Sequence, residues 1–215
     1  TERDVAGLER VMQEVEGVPG RVISAPGDVT DSSFCEELRN VAIDEFGRLD
    51  ILVNSAGFVR AAAASEISDE LWRSGIEVNL SAAFYLSRAV LENMVAAGSG
   101  RLIFIGSSGA ITGGGGSAFY SAAKAGINGL VRVLSKEVAP KGITVNAVLP
   151  ALIETDILRD RYADPQKRLA LVERIPVGRL GQPADVANMV QFLASEEASF
   201  ICGQQIIVDG GSTFK

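Results

Sequence analysis

The chain has 215 residues, 47% of them hydrophobic and 22% charged, and a formal net charge of −7. Those proportions describe a globular chain that can bury a substantial core, and they exclude a disordered one. The acidic balance argues against nucleic acid as the main partner, because phosphate binding needs clustered Lys and Arg. His is absent altogether, which excludes Ser-His-Asp hydrolysis, Cys-His chemistry and any His-ligated metal site. Acid–base work near neutral pH must then fall to Tyr, Lys, Asp or Glu. No apolar run reaches the ~18 residues of a membrane span, and no secretory pattern opens the chain. Cys35 and Cys202 lack metal-type spacing. They read as free thiols, which fits a reducing cytoplasm.

Val5, Leu8, Val11 and Val15 recur at helical spacing and predict an amphipathic helix over 4–16. The run 21-RVISA-25 predicts a short strand. The segment 31–47 opens on polar capping residues, carries Phe34, Leu38, Val41 and Phe46 along one stripe, and ends at Gly47. The run 49-LDILV-53 predicts a strand, and 68–97 one long helical stretch closed by Gly98. A strand is expected at 101–105, a helix at about 118–138 stopped by Pro140, and a strand at 143–149. Helical patterns near 155–173 and 183–195 precede a last strand at 205–208. Alternating helices and fully apolar strands imply an α/β chain with a parallel sheet covered on both faces.

In such sheets ligands bind beyond the carboxyl ends of the strands. Four segments there are small, polar or turn-forming: 27-GDV-29, 54-NSAG-57, 106-GSSG-109 and 150-PALIET-155. Each by itself reads as a plain turn. Their joint placement at one sheet edge suits a flat ligand approaching closely. Tyr120 and Lys124 stand four residues apart, so they share a helix face. A nearby ammonium favours a phenolate, and a chain without His needs such a neighbour to use Tyr as an acid or base. A buried Tyr beside a surface Lys is the plainer reading of that pair. The small residues Ser121, Ala122, Ala123, Ala125 and Gly126 around it favour the functional one.

These residues carry a resemblance. With Ser107 thirteen positions before Tyr120, and Lys124 four after it, the chain resembles the short-chain dehydrogenase/reductase family, over essentially its whole length. The family's Asn-Asn-Ala-Gly turn is matched by 54-NSAG-57, its helix Asn by Asn79, and its Asp-Val pair by Asp28 and Val29. The loop that wraps the nicotinamide is matched by 146-NAVLPALIET-155. The C-terminal signatures are matched by 176-PVGRLGQPADVA-187 and 203-GQQIIVDGG-211. The resemblance implies a doubly wound, Rossmann-type three-layer sandwich formed by one domain over 1–215. It implies an oxidoreductase that interconverts a secondary alcohol and a ketone with NAD or NADP. Tyr120 would be the general acid/base, and Lys124 would lower its pKa and hold the nicotinamide ribose. Ser107, with Ser108 as its rival, would bind the substrate oxygen, and Asn79 would hold a water linking Lys124 to solvent. Asp28, Val29, Asn54, Ala56, Gly57, Tyr120, Lys124, Pro150, Ile153 and Thr155 would line the cofactor, with no metal site. A non-catalytic scaffold on the same fold is the competing reading.

The resemblance departs at the front. The family's first strand, glycine-rich turn, helix and second strand have no counterpart, so the chain reads as N-terminally truncated. Strands 1 and 2 of the order 3-2-1-4-5-6 would be missing, leaving the strand at 21–25 without a neighbour. Cofactor type is read in this family at the end of the second strand, here Glu2-Arg3. An acid there takes ribose hydroxyls and favours NAD, while an Arg suits the extra phosphate of NADP. The balance leans slightly to NAD. Ala151 replaces the usual Gly after Pro150, and would be strained if that position needs positive φ. The run 113-GGGG-116 reads as a flexible lip of the substrate pocket. The tail resembles 3-oxoacyl-carrier-protein reductases, whose motifs sugar, polyol and steroid dehydrogenases share. A homotetramer or dimer is implied, with contacts through 68–97, 118–138 and the last strand. Ala82, Ala83, Phe84 and Leu86 fit either that contact or the side facing the sheet.

Overall fold

A computed structural model describes residues 4–214. Four parallel strands, β1 (Ile51–Asn54), β2 (Gly100–Ile105), β3 (Ile143–Pro150) and β4 (Gln205–Val208), form one sheet in chain order. Asn54 pairs with Phe104, Ile105 with Val148, and Pro150 with Val208. Every connection is a parallel crossover, so all four strands end at the same edge.

Helices cover both faces, because alternate strand residues point opposite ways. Leu102, Phe104, Val145, Ala147 and Leu149 pack against helices α4 (Ala82–Ala97) and α6 (Ala118–Val138). Ile103 and Val148 pack on the other face against Leu193, Val186, Met189 and Val190 of α9 (Pro183–Ala194). The three-layer reading of the sequence holds. Ala82, Ala83 and Leu86 are buried within the chain, while Phe84 is exposed.

The predicted helix ends agree with capping chemistry. Helix α1 spans Val5–Glu14 and buries none of its residues. In α2 (Ser32–Phe46) the Asp31 carboxylate accepts from the Ser33 amide, 2.8 Å, and Gly47 closes the helix at φ 74°. The 68–97 stretch is not one α-helix. It comprises α3 (Asp69–Ile76), a π turn over Glu77–Ser81, and α4. A four-residue helix, α5 (Gly109–Thr112), follows β2. The 155–173 pattern divides into α7 (Asp156–Arg161) and α8 (Pro165–Val172), because Asp164 caps Gln166 and Pro165 opens a new first turn.

Residues 21–25 do not form the predicted strand and are not part of the sheet. A strand is stabilised by a neighbour's ladder and by cross-strand packing, and β1 is not that neighbour. Ile23 and Ala25 instead border a cavity of about 160 Å³ with Leu38, Phe46, Ile51 and Leu52. As the outer strand, β1 leaves Ile51 and Val53 46% and 44% exposed.

Candidate active site

The carboxyl ends of β1, β2 and β3 carry the predicted residues. The helical repeat of α6 sets Tyr120 and Lys124 on one face, with the Lys124 ammonium nitrogen 5.8 Å from the Tyr120 ring centroid. Lys124 is 5% exposed, and its Nζ donates to the Ile105 carbonyl at the end of β2, 2.9 Å. Burial pulls its pKa from 10.5 down to about 8.

The Tyr120 hydroxyl is hydrogen-bonded to Ser107. Burial pushes the Tyr120 pKa up, and the Ser107 bond offsets part of that rise. Here the structure corrects the sequence expectation. The Tyr120 pKa is raised rather than lowered, because burial outweighs the Ser107 bond.

Of the two serines, Ser107 is the one that meets Tyr120. Its Oγ also accepts from the Gly109 amide, 3.0 Å. Ser108 is buried; its amide donates to the Pro150 carbonyl, and its own carbonyl accepts from Ile111 and Thr112 as α5 begins.

Asn79 lies in the π turn, buried. Its amide nitrogen donates to the Gly75 and Phe58 carbonyls at 2.9 and 3.1 Å, and its oxygen accepts from the Phe58 amide at 3.2 Å. The side chain is thus spent on backbone and pins the turn after β1. Asn54 shapes that turn from below, its oxygen accepting from the Ala56 amide at 3.0 Å. Gly57 lies against Asn79 and Lys124. A Cβ there would come within 2.7 Å of the Asn79 oxygen and 3.3 Å of the lysine nitrogen.

Other predicted residues stand further out. Asp28 accepts from the Thr30 amide and hydroxyl, and Val29 packs toward Cys35 and Leu86 at the start of α2. Burial pushes the Cys35 thiol up to about 11, so it is inert at neutral pH. Pro150 ends β3, Ile153 bridges to Gly181, and Thr155 precedes α7, exposed. No non-glycine residue among those described has positive φ, so Ala151 carries no such strain.

The glycine run does more than form a loose lip. Gly115 has φ 94°, and a Cβ on it would come within 2.4 Å of the Tyr120 ring. The run is tied down by Ala62 N to Gly116 O, 3.0 Å, and Ser121 Oγ to Gly114 O, 2.7 Å. Sequence reasoning also missed the tilted aromatic pair Phe58 and Phe119, centroids 5.4 Å apart. Gly75, near the end of α3, fits tightly under the Phe119 ring, where a Cβ would come within 2.2 Å of it.

The site fits the ribose end of a nicotinamide cofactor. Gly57 leaves open a face that any side chain would close, and Lys124 beside it has two N–H bonds beyond the one given to Ile105. A second cavity, about 360 Å³, lies behind the 150–155 loop, lined by Leu152, Ile153, Val177 and Met189. It is apart from Tyr120, and the chemistry points to the Tyr120 cluster.

Comparison with known proteins agrees with this geometry. A family model described as enoyl-(acyl carrier protein) reductase matches residues 1–213. The chain belongs to the short-chain dehydrogenase/reductase family, and it is an NAD(P)-dependent oxidoreductase interconverting alcohol and ketone. It is 45% identical over 184 residues to the 3-oxoacyl-[acyl-carrier-protein] reductase FabG of Escherichia coli (strain K12), covering 86% of this chain and 75% of that protein. The Thermotoga maritima protein of the same name is 37% identical over 204 residues, 95% of this chain and 82% of that one. A crystal structure of a short-chain dehydrogenase/reductase from Burkholderia xenovorans superposes with a TM-score of 0.91 at 36% identity, over 99% of this chain and 83% of that one. An NAD(P)-dependent gluconate 5-dehydrogenase from Beutenbergia cavernae, with NADP bound at low occupancy, also gives 0.91, at 35% identity over 98% and 84%.

The lean to NAD finds no support. Glu2 and Arg3 lie outside the described residues, and the solved relative holds NADP. Among the described residues no helix is long and apolar enough to cross a membrane.

Proposed function

We propose that this chain is a ketone reductase of 3-oxoacyl thioesters, with Tyr120, Ser107, Lys124 and Asn79 as its working residues. The observation that carries the reading is the Ser107–Tyr120–Lys124 cluster at the strand ends, with Lys124 buried and the other two half-buried. The thioester assignment is supported by the names of the relatives that are 37–45% identical. The cofactor is NAD or NADP, and the NADP-bound neighbour makes NADPH the first to test.

The nicotinamide supplies the hydride when bound. The Tyr120 hydroxyl donates its proton to the substrate oxygen as that oxygen gains charge. The Ser107 hydroxyl, on the same side, hydrogen-bonds the oxygen and orients it. Lys124, charged below about pH 8, stabilises the phenolate left on Tyr120 and offers its remaining N–H bonds to ribose hydroxyls. Asn79 holds the Phe58 backbone, so Gly57 keeps its place beside Lys124. Asn54, Ala56, Pro150, Ile153 and Thr155 would frame the nicotinamide half, and Asp28 and Val29 the adenine half.

The chain acts in this reading as a single Rossmann-type unit in the cytoplasm, assembled as a homotetramer or dimer. Exposed Phe84 on α4 and Val133 on α6 support a helical contact between copies. The test is fluorescence titration with NADPH and NADH, followed by turnover of a 3-oxoacyl thioester by wild type and Tyr120→Phe. Saturable binding with turnover reduced ~10²–10⁴-fold in the variant agrees with the reading. Unchanged turnover would remove Tyr120 from the chemistry.

A further inference from the structure

The glycine run 113–116 lies between Ser107 and Tyr120 in the chain, and a side chain outside the proposed machinery holds it in place. Gly113, Gly115 and Gly116 all have positive φ. Consecutive glycines restrict their own backbone little, so the path of the run is set by what it is bonded to. The Gly114 peptide groups are fastened on both sides. The Gly114 amide donates to Thr112 Oγ1, 3.2 Å, and Thr112 Oγ1 donates to the Ser108 carbonyl, 3.2 Å. The Gly114 carbonyl accepts from Ser121 Oγ, 2.7 Å.

Ser121 follows Tyr120 in the first turns of α6. A serine within a helix commonly turns its hydroxyl onto the carbonyl four residues back. The Ser121 amide makes the ordinary helical bond to the Ser117 carbonyl, 3.2 Å, but the hydroxyl leaves the helix and reaches the glycine run. The place of the Gly114 carbonyl matters in two directions. It lies against Gly109, where a Cβ would come within 2.8 Å of the Gly114 oxygen and 3.1 Å of Ser107 Oγ. Gly109 is the residue whose amide donates to Ser107 Oγ, 3.0 Å. The next residue, Gly115, lies so close to the Tyr120 ring that a Cβ on it would come within 2.4 Å. The Gly116 carbonyl accepts from the Ala62 amide, 3.0 Å, which fixes the far end. A shift of the Gly114 carbonyl would therefore disturb the support of Ser107 and one wall of the Tyr120 ring together.

We propose that Ser121 is a positioning residue whose hydroxyl, bonded to the Gly114 carbonyl, holds the glycine run against the Tyr120 ring and so sets the proton donor relative to Ser107. The proposal rests on the reading of Tyr120 as proton donor given above. Ser121 acts through Gly114 and Gly115 rather than on the substrate. Its loss should appear in kcat, with KM and cofactor affinity little changed.

The test uses the full chain, with 3-oxobutanoyl-coenzyme A and NADPH as probes. Ser121→Ala should lower kcat about tenfold, part of the ~100-fold loss that a displacement of ~1 Å can cause, while KM and NADPH affinity stay within about twofold of wild type. Ser121→Thr, which keeps the hydroxyl, should recover most of the rate. Added to Tyr120→Phe, Ser121→Ala should cost the residual turnover almost nothing further, because the two changes act through one hydroxyl. Melting temperature reports folding of each variant separately. Wild-type kcat in Ser121→Ala, with Tyr120→Phe impaired, would overturn the positioning role and leave the proton-donor reading standing. A full tenfold loss on the Tyr120→Phe background, or a Ser121→Thr variant that folds as wild type and is as slow as Ser121→Ala, would overturn it too. Unchanged turnover in Tyr120→Phe, or none in wild type, would sink the proposed function itself, and this proposal with it.

Discussion

Lys124 donates from its ammonium to the carbonyl of Ile105, 2.9 Å away, in a setting where the lysine is 5% exposed. One hydrogen bond to a neutral carbonyl does not replace the hydration of an ammonium. That imbalance is why its pKa falls to about 8.

The consequence for stability has a definite sign. Between about pH 8 and the ordinary lysine value of 10.5, the unfolded chain holds a proton that the folded chain has shed. The Lys124 contribution to stability therefore rises with pH across that window, while the Cys35 thiol, raised from 9.0 to about 11, opposes it above pH 9. Tyr120, raised by burial, titrates above its ordinary value and opposes the trend beyond about pH 10. Urea unfolding at pH 7 and pH 9.5 should show the increase in wild type and its absence in Lys124→Met. The variant also removes a donor from the Ile105 carbonyl, so the pH slope is the measurement that decides.

The two adjacent serines should separate cleanly. Ser107→Ala should lower kcat roughly a hundredfold, the scale of losing one donor to a developing oxyanion, with little change in melting temperature. Ser108→Ala removes a hydroxyl from a residue whose backbone makes the structural bonds, and should leave kcat within a few-fold of wild type. Steady-state kinetics on both variants distinguish them. A reversed order would transfer the role to Ser108.

Gly115→Ala should damage activity more than fold. The residue has φ 94°, and the new methyl would meet the Tyr120 ring. A non-glycine residue in the left-handed region costs about 1–2 kcal/mol, and relief by turning Tyr120 would displace the proton donor. We expect a kcat loss of at least tenfold with a melting temperature a few degrees lower. Gly113→Ala, also at positive φ but with open space around it, is the control for backbone strain without the ring contact.

Asn79→Ala should be primarily a stability variant. It removes three hydrogen bonds to buried or half-buried backbone, each worth about 1 kcal/mol net and more where a partner is orphaned. A loss of roughly 2–4 kcal/mol would lower the melting temperature by about 5–15 °C. Differential scanning calorimetry checks this. A loss of turnover at unchanged stability would instead point to direct participation in proton transfer.

Much of the molecule was legible in advance because its signals are local. The fully apolar runs at 101–105 and 143–149 need cover on both faces, and that alone implies the layers. Asp31 and Gly47 mark their helix ends by capping chemistry, and Asp164-Pro165 could have announced the break between α7 and α8. The four-residue spacing of Tyr120 and Lys124 follows from the helical repeat wherever the helix lies.

Tertiary structure decided what depends on residues distant in the chain. Whether 21–25 becomes a strand depends on a ladder partner, which no local pattern encodes. Which of Ser107 and Ser108 meets Tyr120 was set by where β2 ends and α5 begins. The π turn that buries Asn79 and the Tyr120 ring that requires glycine at 115 both arise from packing between separated segments. The raised pKa of Tyr120 and the lowered pKa of Lys124 have the same origin. Residue type and spacing determined which groups would meet, while burial, a property of the assembled fold, shifted their pKa values.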